Sequence, residues 1–63
     1  MKRADAIRLI ESYAAEGDDK AAMRIYIENR ISRQVFDAAM EKGRRFGAFV
    51  RARDAAKAQQ VAA

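Results

Sequence analysis

Cysteine, histidine, proline and tryptophan are all missing from the 63 residues of this chain. Without cysteine there is no disulfide, and a reducing compartment is compatible with the composition. Without cysteine and histidine the usual zinc, haem and iron–sulfur ligand sets are lost, so no metal or cofactor is expected. No histidine is present to activate Ser12 or Ser32, the only serines, so nucleophilic catalysis has no support and the chain reads as a non-enzyme. Long apolar runs are absent as well: nothing approaches the roughly 20 residues that span a bilayer. Lys2 and Arg3 could open a signal peptide, but Asp5, Arg8 and Glu11 interrupt any apolar region behind them, so none is expected.

A chain this short makes one domain and buries only about 60% of its unfolded surface. Its stability must come from helix packing, supplemented by a second copy or a partner. The net charge of +4 is unevenly placed. Residues 1–30 carry six basic side chains (Lys2, Arg3, Arg8, Lys20, Arg24, Arg30) and six acidic ones (Asp5, Glu11, Glu16, Asp18, Asp19, Glu28). Residues 31–63 carry seven basic (Arg33, Lys42, Arg44, Arg45, Arg51, Arg53, Lys57) against three acidic (Asp37, Glu41, Asp54). The excess lies wholly in the second half, which favours a polyanion or an acidic protein surface as partner.

What remains is helix-forming: abundant alanine, with three glycines as punctuation. Ala6, Leu9, Ile10, Tyr13 and Ala14 recur at three- and four-residue steps and predict a first helix over about 3–15. Gly17 suits the left-handed residue that ends it. Asp18 caps a second helix reaching about Asn29, with Ala22, Met23, Tyr26 and Ile27 on its buried face and Ile25 widening it. Met23, Ile25 and Ile27 also alternate with Arg24, Tyr26 and Glu28, which fits a strand paired with a second copy of the chain. Ser32 caps the next helix, whose stripe of Phe36, Met40, Gly43, Gly47 and Val50 is flanked by Ala39 and Phe46. The stripe passes through both glycines. It describes either one helix to about Lys57, with a flat spot for a neighbouring helix, or two helices broken between Gly43 and Gly47. Tyr13, Tyr26, Phe36 and Phe46 read as core, and Phe49 lies off the stripe. The expected fold is all-α, a small bundle of three to four helices over 1–57, with a frayed tail over 58–63.

Two local clusters have structural readings. Asp18 and Asp19 are helix-start acids rather than a general acid–base pair. The run "GRRFG" lacks the strand–loop–helix setting of a phosphate-binding loop.

The segment "AMRIYIENRISRQVFDAAMEKG", Ala22 to Gly43, resembles a helix-turn-helix DNA-binding unit. Arg30-Ile31-Ser32 stands where that family has its tight turn, with Asn29 able to take the left-handed conformation. The resemblance implies that Ile31 plugs the angle between the helices and Ser32 caps the second. It implies further that Ser32, Arg33, Gln34 and Asp37 face the major groove, where arginine and glutamine suit guanine and adenine edges. The sequence departs from the family's pattern at Arg30 (usually glycine), at Tyr26 (usually alanine) and in the acids Asp37 and Glu41 on the recognition face.

On a continuous third helix Arg33, Arg44 and Arg51 share an edge, with Arg45 further round and within four residues of Glu41. The nucleic-acid-binding set expected from these arguments is Ser32, Arg33, Gln34, Arg44, Arg45 and Arg51. Two functions are compatible with these features. One is a dimeric DNA-binding transcriptional regulator of phage or plasmid type, its partner duplex DNA. The other is a protein–protein interaction module, such as a phage-encoded inhibitor (an anti-CRISPR or other host-takeover protein) or an antitoxin-like partner. Neither calls for a membrane or a small-molecule substrate, and the cytoplasm is the expected location.

Overall fold

A computed structural model describes the backbone of residues 1–62 and the side chains of residues 1–58. The chain is all-α, with three packed helices: α1 (Arg3–Glu16), α2 (Asp19–Glu28) and α3 (Arg33–Ala62). Residues 23–28 lie inside α2, so the strand alternative does not hold. The start of α2 decides this locally: the Asp18 carboxylate accepts the Ala21 N–H at 3.2 Å, and Asp19 adds negative charge where the helix dipole favours it. Of the two readings for residues 32–57, the single helix is observed, and it continues through Ala62. The fraying expected over 58–63 falls mostly on residues whose side chains, from Gln59 onward, lie outside the described set.

Both interhelix turns close by the same device. Gly17 adopts φ +81°, its N–H donates to the Ala14 carbonyl, and the Asp18 N–H donates to the Tyr13 carbonyl at 2.8 Å. After α2 the left-handed residue is Arg30, at φ +52°, not Asn29, which sits at φ −105°. The Ile31 N–H reaches back to the Tyr26 carbonyl at 3.2 Å. Asn29 instead turns its side-chain amide onto the Ile25 carbonyl at 3.0 Å, an arrangement that holds it on the helical side of the turn. A left-handed L-residue costs about 1–2 kcal/mol. Arg30→Gly is therefore expected to raise stability by about 1 kcal/mol net of glycine's extra unfolded-state freedom. A thermal melt followed by circular dichroism should move up by roughly 4–8 °C.

The core is thin and built from small residues. Ala6, Ile10 and Ala14 of α1 meet Ala22 of α2, Ile31 of the turn, and Phe36, Ala39 and Met40 of α3. Ile7, Tyr13, Ile25, Tyr26 and Val35 pack around them, half-buried. The Tyr26 and Phe36 rings lie 4.5 Å apart and tilted by 37°. α1 lies along α3 in the same direction, with α2 returning against α1 and touching α3 only slightly. Gly43 and Gly47 make this approach possible. A Cβ on Gly43 would stand inside 3.0 Å of the Glu11 carbonyl oxygen and 2.7 Å from the Ala14 Cβ; one on Gly47 would stand 2.9 Å from the Ala15 Cα. The flat spot expected from the sequence is the seat of α1.

Three residues expected in the core stand in the open. Met23 is 41% exposed, Ile27 65% and Phe46 62%. α2 presents Ala22, Ile25 and Tyr26 to its neighbours, and because it barely meets α3 its Met23–Ile27 side has nothing to cover it. Phe46 falls beside the ridge on which α1 sits rather than beneath it. Phe49, off the stripe, is exposed to the same 62%. Beyond the end of α1 the last turns of α3 project from the body, and residues 51–58 are all exposed. The molecule is accordingly elongated, 49 × 18 × 17 Å, close to the ~45 Å length of a 30-residue helix.

Candidate functional site

The arginines expected to bind nucleic acid are exposed on α3, and each already has a partner. Arg33 Nε donates to both oxygens of Asp37, at 3.1 and 3.3 Å, one helical turn along. Arg45 donates from a terminal nitrogen to one oxygen of Glu41, one turn back along the helix. Arg44 reaches across to Asp19 at 3.4 Å and links α3 to the first turn of α2. Arg51 donates to the Ala15 carbonyl at 3.1 Å, where the negative end of the α1 dipole favours a cation. Ser32 turns its hydroxyl to the Val35 N–H at 3.3 Å, so it caps α3 as expected. Gln34 is exposed and makes no side-chain hydrogen bond among the described residues. In the second half of the chain Lys42 also pairs, with Glu11 of α1 at 3.4 Å. Arg53 and Lys57 form no ion pair among the described residues.

These pairs frame a groove. Asp19 and Met23 of α2 face Arg33, Phe36, Asp37, Met40, Glu41, Arg44 and Arg45 of α3 across an open cavity of ≈ 520 Å³. Its floor is apolar, made by Phe36 and Met40, each 5% exposed, with Met23 as one wall. Its rim consists of three ion pairs: Arg33–Asp37, Arg44–Asp19 and Arg45–Glu41. The face read as a recognition surface therefore carries balanced charge around an apolar centre. Exposed pairs of this kind are worth about 0–1 kcal/mol each, so they shape the surface more than they stabilise the fold.

No protein-family model, no curated protein and no solved structure matches the chain. Among the described residues no group of three or more histidine, cysteine, aspartate or glutamate side chains is placed to hold a metal ion. No described helix is long and apolar enough to cross a membrane.

Arg33, Arg44 and Arg45, singled out from the sequence, stand on the surface around the groove, but the groove itself was not foreseen. The sequence carries only part of the signal: Asp19, Met23 and Ile27 succeed one another at four-residue steps, a second row on α2 beside the buried one, but whether α3 covers that row is a tertiary matter.

Proposed function

We propose that the protein is a non-enzymatic protein-binding module, and that the groove between α2 and α3 receives apolar side chains from a partner protein. The observation that carries this reading is the neutral, methionine-walled groove, with its Phe36 and Met40 floor and its rim of paired charges. A polyanion needs uncompensated cations, whereas here each rim arginine faces a carboxylate. Methionine is unbranched and polarisable, and surfaces built on it adapt to a partner's side chains. Fully desolvated apolar anchors, ringed by polar contacts, carry most of the free energy in protein interfaces. A small helical chain offering such a surface suits an inhibitor that covers part of a larger protein, of the phage-encoded or antitoxin-like kind.

Tagged protein retrieved from its source cells is expected to bring down a stoichiometric protein held by the groove, unaffected by nuclease. Met23→Glu puts a charge on the groove wall and should abolish that protein's capture while leaving the helical circular dichroism spectrum unchanged. A captured set that is the same with and without Met23→Glu, or that nuclease removes, would count against the groove.

A second reading is favoured by one observation: the +4 lies in the second half of the chain, and Arg53 and Lys57 there have no acidic partner among the described residues. Under it a helix-turn-helix-like homodimer binds duplex DNA, and the surface ion pairs are exchanged for phosphates. This requires affinity that falls steeply with added salt. Light scattering on a size-exclusion column, with and without duplex DNA at low salt, decides it: no shift in mass with DNA removes the reading.

A further inference from the structure

The edge of α3 that bears Phe46 and Phe49 adjoins the groove at its Arg45 rim, one turn before Phe49, but looks away from the groove's centre. At 3.6 residues per turn the two rings lie roughly 140–160° around the helix from Arg44, and neither lines the groove. Both are 62% exposed, an unusual state for two phenylalanines one turn apart. Lys42 lies a turn before them on this edge, and Arg53 and Lys57 come after them on the projecting part of α3. Written as a heptad, Lys42, Phe46, Phe49 and Arg53 occupy successive seam positions, spaced four, three and four residues. The edge thus has the spacing of half a two-helix interface, with aromatic knobs at its centre, Lys42 paired to Glu11 at one end, and at the other Arg53 and Lys57, which form no ion pair among the described residues.

We infer that this edge docks an acidic amphipathic helix of a partner protein. Charge complementarity selects the occupant. The acid Asp54 lies off the seam, so glutamates on an opposing helix would meet Arg53 and Lys57 while its leucines cover the two rings. A second copy is disfavoured: a parallel pair sets Arg53 and Lys57 against their own copies, and an antiparallel pair sets them against Lys42, whose one carboxylate partner, Glu11, is already engaged. Seating it in a neighbour's groove joins two surfaces on nearly opposite sides of α3, and a head-to-tail contact of that kind propagates instead of closing a pair. A nucleic acid is the lesser fit, because the centre of the edge is apolar and its cations without an ion pair among the described residues stand at one end only. The inference adds a second surface to the groove reading and does not depend on it. A chain with both would bridge two partners.

The probe is a synthetic helix of about three heptads with leucine at the seam and glutamate flanking it; its counterpart has lysine for glutamate. Binding is read from backbone amide shifts of the whole protein. The glutamate peptide is expected to move the amides of residues 45–57 and to bind more weakly as salt rises; the lysine peptide is expected to leave them in place. Phe49→Ser should weaken binding at least about tenfold, the loss of one buried ring at an interface centre, with the thermal melt unchanged. Arg53→Glu combined with Lys57→Glu should transfer the preference to the lysine peptide. Equal binding of both peptides, no binding of either, or shifts confined to Met23 and residues 33–41 would overturn the inference. So would duplex DNA that moves the same amides at lower concentration than the peptide.

Discussion

Replacing Gly43 and Gly47 together by alanine is expected to lower the melting temperature by about 10 °C or more, at roughly 4–8 °C per kcal/mol for a domain of this size. Helix propensity alone predicts the opposite, since each interior glycine exchanged for alanine favours an isolated helix by about 1 kcal/mol. Packing decides the sign. The atoms that a new Cβ would strike are the Glu11 and Ala15 backbone and the Ala14 Cβ, none of which can swing aside as a long side chain would. α1 must shift away from α3, and the shift loosens the Lys42–Glu11 pair and the Arg51 hydrogen bond to Ala15 as well. Overpacking costs about 1–3 kcal/mol per site, occasionally more; backbone atoms inside 3.0 Å at both positions put these two at the upper end, so about 4 kcal/mol is lost net of the propensity gain. A chain of this length has only roughly 3–9 kcal/mol in all. Gly17→Ala is the control. It meets open space but keeps φ +81°, so its penalty is the left-handed strain of about 1–2 kcal/mol without a clash. Circular dichroism melts of the three proteins should rank the double variant lowest. A double variant more stable than wild type would mean that α1 does not rest on the glycines.

The same contact explains which parts of the fold could be read from residues alone. Helix starts and stops were legible because they are chemically local: Asp18, Ser32 and Gly17 do at short range what their side chains, or lack of one, dictate. The small-residue face at Gly43 and Gly47 was legible as a flat spot, since a helix places positions four apart side by side. What covers each apolar row was not legible, because it depends on how three helices lean. Met23, Ile27 and Phe46 belong to rows that look buried on a wheel. They are exposed because α1 takes the seat on the glycines and α2 leans away from α3. The ion pairs divide in the same way. Glu41 and Arg45 lie one turn apart and could be paired on paper; Arg44 with Asp19 and Arg51 with the Ala15 carbonyl required the tertiary arrangement. Of these long-range contacts the Arg44–Asp19 pair compensates an arginine on which a DNA interface would rely, whereas Arg51 keeps its charge and is only held in place by a carbonyl.

Phe36→Ala is expected to destabilise the domain by about 3–5 kcal/mol, a third or more of what it has, and so to lower its melting temperature by about 12 °C or more. The ring is 5% exposed and stacks on Tyr26 at 4.5 Å. It is also the principal apolar tie between α2 and α3, which otherwise share Ile31 and the exposed Arg44–Asp19 pair. Phe36→Leu keeps most of the volume and should cost less than about 1.5 kcal/mol. In that milder variant, hydrogen exchange should quicken first in the amides of α2, while those of α1 and of α3 near Gly43 keep their protection. Met23→Glu tests the wall of the same groove. At 41% exposure its effect on stability should stay within about 0.5 kcal/mol, while its effect on capture of the groove's partner should be complete. Phe36 thus belongs to the scaffold that shapes the groove, and Met23 to the surface the groove offers. If Phe36→Ala melted like the wild type, α2 would be held by contacts other than the Tyr26–Phe36 stack, and the groove would lose its fixed floor.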